Sequence, residues 1–279
     1  MLPTKEKRRM NNCHVIHLAE TSSTNTFLTS YTPSEPTDIT IVTTDYQSAG
    51  RGQATNRWES ERGKNLLFSI LVTPDSLPAT HLFALSEAIA LSIREAIAAT
   101  LISSVKASAN NEDILCETVK WPNDIYIGDS KIAGILIENN LRGQYVHRSV
   151  IGCGVNINQS SFLFPSLATT DLSASNIPHP VSMRQLLGHD IDRQAILDAI
   201  IAHFIHRYKS ISNGQPEALA SIHAEYLAAL YRRQGFYLFA DAQGSFSAEI
   251  ADVEPTGHLL LRDTSGHLRR YAFKEVSYC

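Results

Sequence analysis

Residues 120–139, KWPNDIYIGDSKIAGILIEN, limit the architecture more than any other stretch, because they set a charged turn between apolar extended runs. Pro122 lacks a backbone donor and pushes Trp121 towards extended geometry, so a strand arriving at Trp121 breaks there. Asn123 and Asp124 suit a turn, since their side chains bond nearby backbone. Residues 125–127 resume the extended run, Gly128-Asp129-Ser130 turns it, and residues 132–137 are apolar and β-branched, the pattern of a buried strand. Lys120, Asp124 and Lys131 are thus expected at strand ends beside buried backbone. Lysines in such company need a partner, and an anion is the expected one. The plainer alternative is a surface hairpin with solvated charges.

Three other stretches weigh against the plain hairpin. Residues 47–58 (QSAGRGQATNRW) form a polar loop in which Gly50 and Gly52 flank Arg51. Glycine lets backbone N–H groups approach an anion, and the arginine adds a positive fork. The loop has neither the GKS or GKT of a Walker loop nor the third glycine of a dinucleotide fingerprint. Trp58 either covers a flat ligand or anchors the loop on the core. Residues 20–25 (ETSSTN) read either as a simple helix start or as polar groups turned into a ligand cleft. Residues 150–157 (VIGCGVNI) form a buried strand whose glycines permit close backbone approach. The spacing of Asn156 and Asn158 favours a turn.

Short strands are expected at 15–18, 40–44 and 66–72, with a loop at 33–36. Leu82, Leu85, Ile89, Ile93 and Ile97 recur at helical spacing, predicting an amphipathic helix over 79–99 that covers the sheet. A polar excursion follows at 103–113, and a hairpin turn at 142–144. Residues 159–180 read as irregular, with Pro165, Pro178 and Pro180. Helices are predicted at 182–187, stopped by Gly188, at 192–210 and at 216–230. After Gly235 the pattern changes to short alternating strands at 236–239, 246–252, 259–262 and 268–273 with glycine turns, a small barrel. The chain thus divides into a larger unit over 1–234 and a smaller one over 235–279.

The formal charge of −4, from 24 basic and 28 acidic residues, gives no general field for nucleic acid. Residues 5–9 (KEKRR) read as a disordered basic tail. The four cysteines form no CxxC pair, and His203, His206 and His223 lack zinc spacing, so neither a disulfide framework nor a metal site is expected. No apolar run approaches a membrane span or signal peptide, and a cytoplasmic location is the expectation.

Taken in order, STN at 23–25, Gln47 with GRG at 50–52, WESERGKNL at 58–66, KWPNDI at 120–125, KIAGILIE at 131–138 and GCGVNIN at 152–158 resemble the biotin–protein ligases. The resemblance runs from about Val15 onward. It implies an α+β fold, with a class II aminoacyl-tRNA synthetase-like mixed sheet flanked by helices and a small C-terminal SH3-like β-barrel. It implies activation of biotin with ATP and Mg2+ to biotinyl-5′-AMP, then transfer to a lysine of a biotin carboxyl carrier domain. Carboxylate attack on a phosphate brings two anions together, so such a site needs cations and oriented donors. The resemblance assigns Arg51 and Lys131 to that neutralisation, with Gly50 and Gly52 presenting N–H groups. It sets Ser23, Thr24, Asn25, Gln47, Gln53 and Gly134 around biotin, and Trp58, Lys120, Asn123 and Asn156 around the nucleotide. Asp124 would orient Lys131 or steer the incoming lysine. The chain departs from the family at Gln53-Ala54-Thr55, where basic residues and a further glycine often follow GRG; a less cationic loop could leak the adenylate. About a dozen residues precede the first expected strand, too few for a winged helix, so no DNA partner is expected, and the chain is read as a monomer or weak homodimer. Rival readings are a lipoate or octanoate ligase of similar fold, a non-catalytic biotin-binding regulator, and a plain structural domain.

Overall fold

The computed structural model describes residues 5–10, 13–33, 39–53, 56–107, 116–162 and 179–279. Expectations for Ser34–Pro36, Ala54, Thr55, the 108–113 part of the polar excursion and the 163–178 segment with Pro165 and Pro178 lie outside the described residues.

Apolar alternation builds one large sheet. Its strands are β1 (Lys5–Met10), β2 (Cys13–Leu18), β3 (Ile39–Thr44), β4 (Leu66–Val72), β5 (Glu117–Lys120), β6 (Asp124–Ile127), β7 (Ser130–Arg142) and β8 (Tyr145–Val155). They lie in the order β1-β2-β3-β4-β8-β7-β6-β5, antiparallel except where β2 meets β3. The basic segment expected to be disordered is strand β1, paired with β2 from Lys5–Leu18 to Met10–Cys13. A Lys- and Arg-rich sequence suits an edge strand, because charge discourages a further strand from adding there.

Successive side chains point to opposite faces, and both faces are covered. Val15, Ile41, Phe68, Ile70, Ile135, Ile151 and Val155 join one apolar cluster with helices α2 (Ala84–Ala107), α4 (Arg193–Ile211) and α5 (Pro216–Ala228). Ile16, Leu18, Val42, Leu71 and Val150 form a second cluster with Leu28 of α1 (Thr24–Thr29) on the other face. Helix α2 starts later than its periodicity predicts, since Ala79–His81 is a 3₁₀ turn, and it continues to Ala107 through part of the expected polar excursion. Helix α3 (Met183–Leu187) opens with a Ser182–Gln185 capping box and stops at Gly188 with φ 78°. Helix α4 is capped by Asp192, whose carboxylate accepts from the N–H groups of Gln194 and Ala195.

A five-stranded antiparallel sheet follows: β9 (Tyr237–Asp241), β10 (Gly244–Val253), β11 (Leu259–Asp263), β12 (Leu268–Tyr271) and β13 (Ser277–Tyr278), in the order β12-β11-β10-β9-β13. Strand β13 was not expected; two residues are too few to show an alternation. Phe239, Ile250, Val253 and Leu261 share the α2–α5 cluster, so this sheet packs on the helical side. Trp121 Nε1 donates to the Gly257 carbonyl at 3.0 Å, and His223 of α5 bridges Glu87 of α2 at 2.7 Å and Asp252 of β10 at 3.1 Å.

Candidate active site

Register across the large sheet assembles the site. Opposed residues of antiparallel strands share a face. One row runs Lys120, Asp124, Gly134, Gly154, Leu67, and the next runs Leu136, Gly152, Ser69. Charged groups therefore stand at one end, glycines in the middle and a hydroxyl at the other end. This face lines a cleft with a cavity of about 800 Å³, within the range of small-molecule sites.

At the polar end the side chains are already committed to one another. Thr24 donates from N and Oγ1 to Gln47 Oε1, at 2.8 and 3.1 Å. Ser69 Oγ lies 2.7 Å from Thr24 Oγ1 and donates to Asn25 Oδ1 at 2.6 Å. Asn25 Nδ2 donates to the Leu136 carbonyl at 3.2 Å and to Glu138 Oε2 at 3.0 Å. Ser23, the N-cap of α1, is buried, and its side chain makes no cap bond. Gly152 is required here because a Cβ would come within 2.1 Å of Asn25 Oδ1.

At the cationic end Lys131 Nζ sits 2.7 Å from Asp124 Oδ1 and 5.8 Å from the centre of the Trp58 ring. Lys120 lies among the rings of Tyr126, Tyr231 and Tyr278, at 4.8, 5.7 and 5.0 Å, and contacts Tyr126 Oη at 3.3 Å. Burial among these rings lowers its pKa, with Asp124 opposing the shift. Burial likewise raises the Tyr126 hydroxyl, so it stays protonated.

The loop closes over the middle. Trp58 N donates to the Gly50 carbonyl at 3.1 Å and Gly52 N to the Asn56 carbonyl at 2.8 Å. The Gly52 N–H, expected to face an anion, is thus spent inside the loop. Gly50 packs against the Trp58 backbone, where a Cβ would meet the carbonyl oxygen at 2.3 Å. The Trp58 indole lies on Gly134 and Gly154; a Cβ on Gly154 would come 2.3 Å from the ring. Trp58 Nε1 and Gln53 Oε1 are buried without a hydrogen-bond partner among the described residues, and buried polar atoms are normally paired.

Of the residues expected at a site, Ser23, Thr24, Asn25, Gln47, Arg51, Gly52, Gln53, Trp58, Lys120, Asn123, Asp124, Lys131 and Gly134 line this one cleft. Gly50 and Asn156 do not line it. Asn156 is buried, its N–H on the Ile132 carbonyl at 2.9 Å, and its carbonyl accepts from Met183 N at 3.2 Å; it ties β8 to β7 and to the start of α3 and does not close the turn its spacing favours. Asn123 Nδ2 donates to the Ile135 carbonyl, so it shapes the turn as well as lining the cleft. The close approach expected at the glycines of 150–157 is met at Gly152, by Asn25, and at Gly154, by Trp58. Sequence reasoning missed Ser69 and Glu138, although splitting each strand by its two-residue period sets both on the cleft face. It also missed Phe273, Lys274 and Ser277, which the C-terminal sheet brings to the rim from far along the chain. Among the described residues no helix is long and apolar enough to cross a membrane, and no group of three metal-ligating side chains occurs.

The model of the biotin/lipoate A/B protein ligase family matches residues 18–156. The bifunctional ligase/repressor BirA of Bacillus spizizenii is 27% identical over 261 residues, covering 93% of this chain and 72% of that protein. The biotin–[acetyl-CoA-carboxylase] ligase of Paracoccus denitrificans is 26% identical over 258 residues, covering 89% and 94%. Among solved structures, biotin protein ligase from Aquifex aeolicus in complex with biotin and ATP superposes with a TM-score of 0.68 at 20% identity, covering 96% of this chain and 98% of that one. The chain belongs to the biotin/lipoate A/B protein ligase family.

Proposed function

We propose that this chain is a biotin–protein ligase, which joins biotin to ATP as biotinyl-5′-AMP and passes the biotinyl group to a lysine of a biotin carboxyl carrier domain. The proposal rests on the cleft's two unlike ends. One is built of the neutral groups of Ser23, Thr24, Asn25 and Gln47, suited to a ureido ring that exchanges with some of their mutual hydrogen bonds, since its buried N–H and C=O groups must all be paired. The other offers Lys120 and Lys131 to a carboxylate and phosphates, while Arg51 reaches the cleft from the polar side, through the Glu138 carboxylate that also holds Asn25. Between the two ends the Trp58 indole, lying on Gly134 and Gly154, gives the cleft an apolar wall.

In the first step a biotin carboxylate oxygen bonds to the α-phosphorus as the bond to pyrophosphate breaks. Two anions approach, and Lys131 and Arg51, which line the same cleft, offset their repulsion. Asp124 holds Lys131 in place. Magnesium enters as MgATP, a form in which one or two carboxylates and the phosphates suffice as ligands. Trp58 is assigned to the nucleotide with Lys120 and Asn123. In the second step the carrier amine attacks the acyl carbon, AMP leaves, and the amine loses its proton. The larger unit over 1–234 is read as synthetase-like, and the smaller over 235–279 as an SH3-like barrel whose residues 273–278 complete the rim.

Pyrophosphate exchange with MgATP and biotin, run beside lipoate, tests this. Biotin-dependent exchange that Lys131→Ala abolishes is expected. Exchange with lipoate instead would give the site to the other branch of the family, and none with either acid would overturn the ligase assignment.

A further inference from the structure

Glu138 falls two residues beyond Leu136 on β7, hence on the cleft face, and no role has yet been given to it. Its carboxylate forks. Oε1 accepts from Arg51 Nη2 at 2.9 Å and Oε2 accepts from Asn25 Nδ2 at 3.0 Å. Asn25 does not depend on this contact, being held also by the Leu136 carbonyl and by Ser69 Oγ. Arg51 does depend on it. Glu138 is the only acidic partner of the Arg51 side chain among the described residues.

The Arg51 and Glu138 side chains are 49% and 35% exposed, so water and salt screen the pair and it adds little to folding stability. Its effect is on where the guanidinium sits. A guanidinium carries five N–H donors in a fixed fork. With Nη2 on Glu138, the remaining donors are left for an anion in the cleft that Arg51 lines. The loop is also tied to itself, from Trp58 N to Gly50 O and from Gly52 N to Asn56 O. An anchor on Arg51 is therefore an anchor on the segment around it, set apart from the contact that the Trp58 indole makes with Gly134 and Gly154 of the sheet.

We propose that Glu138 is a positioning residue that fixes Arg51, and with it that segment of the loop, over the polar end of the cleft, and so sets how long the acyl-adenylate is retained. This rests on the ligase assignment above. The adenylate keeps one negative phosphate, and a cation already ordered beside it loses less freedom on binding than one that must be recruited from solvent.

The test uses the full chain as wild type, Glu138→Gln, Glu138→Ala, Arg51→Ala and the double alanine variant. Biotinyl-AMP is formed in place from labelled biotin and MgATP, and its release is followed after a chase with unlabelled biotin. Glu138→Ala is expected to release it about tenfold faster, with Glu138→Gln between that and wild type. Because Glu138 acts through Arg51, adding Glu138→Ala to Arg51→Ala should change release by less than about twofold. Trypsin cleavage after Arg51 should be faster in Glu138→Ala without any ligand, at an unchanged melting temperature, which a merely structural role would not produce. Release of Glu138→Ala at the wild-type rate, or effects that multiply in the double variant, would overturn the proposal and leave the ligase assignment standing. A wild type that forms no adenylate would overturn both.

Discussion

Lys131 Nζ and Asp124 Oδ1 lie 2.7 Å apart, both about three-quarters buried, on adjacent strands that meet at a bulge between Ile125 and Tyr126. This pairing fixes an ammonium at the cleft instead of leaving it to swing on four methylenes. Lys131→Ala should lower biotin-dependent pyrophosphate exchange by about 10²–10³-fold, the usual scale for losing one oriented charge at a developing anion. Asp124→Asn keeps the shape and removes the charge. It should slow exchange and transfer together; a loss confined to single-turnover transfer would instead assign Asp124 to the incoming lysine.

Gly152→Ala sets a methyl 2.1 Å from Asn25 Oδ1. Asn25 is bonded to Ser69, Leu136 and Glu138, so it cannot retreat without breaking one of those contacts. The KM for biotin should rise at least about tenfold while that for ATP stays within about twofold, at a stability loss of roughly 1–3 kcal/mol. Equal rises in both KM values would mean that the cleft as a whole has collapsed.

Lys120 reports on pH. Burial among three tyrosine rings lowers its pKa below the ordinary lysine value, so its charge is lost earlier on the alkaline side. If that charge serves the nucleotide, the KM for ATP should climb with rising pH, beginning below the range of a free lysine. Lys120→Arg should remove that limb, because arginine stays charged. A profile identical in the variant would separate Lys120 from nucleotide binding.

His223 makes stability depend on pH. Its hydrogen bond to Glu87 raises its pKa above the ordinary 6.5, with Asp252 adding to the effect. A folded-state value above the unfolded one contributes stability that is complete below 6.5 and is lost as pH rises through the raised value. The melting temperature should therefore fall on going from about pH 6 to pH 9, and His223→Gln should flatten that slope by removing the titrating clasp between α2, α5 and the C-terminal sheet.

Much of this was legible from residue order. KWPND and KIAGIL predicted a turn between strands, and Lys120, Asp124 and Lys131 do meet the cleft there. The glycine-arginine loop was found, but the use of its N–H groups was not, since a loop's internal hydrogen bonds leave no mark in composition. β1 was misread because charge was weighed without a pairing partner; only the facing β2 makes KEKRRM a strand. Ser69 and Glu138 were overlooked inside segments read as uniformly buried, where a single hydroxyl or carboxylate on alternate positions looks like noise. Phe273, Lys274 and Ser277 could not be foreseen, because the fold returns the chain to the cleft after more than a hundred intervening residues.

Gly134 and Gly154 face each other across β7 and β8 beneath the Trp58 ring. The surface they make is defined by atoms that are not there. Every base change that alters the encoded residue at either codon, short of a stop, adds a side chain, since glycine alone lacks a Cβ. Most positions in a protein drift through smaller and larger neighbours and find near-equivalents. These two have neighbours in one direction only, so this part of the molecule has an inheritance with almost no slack, set by geometry before any chemistry is considered.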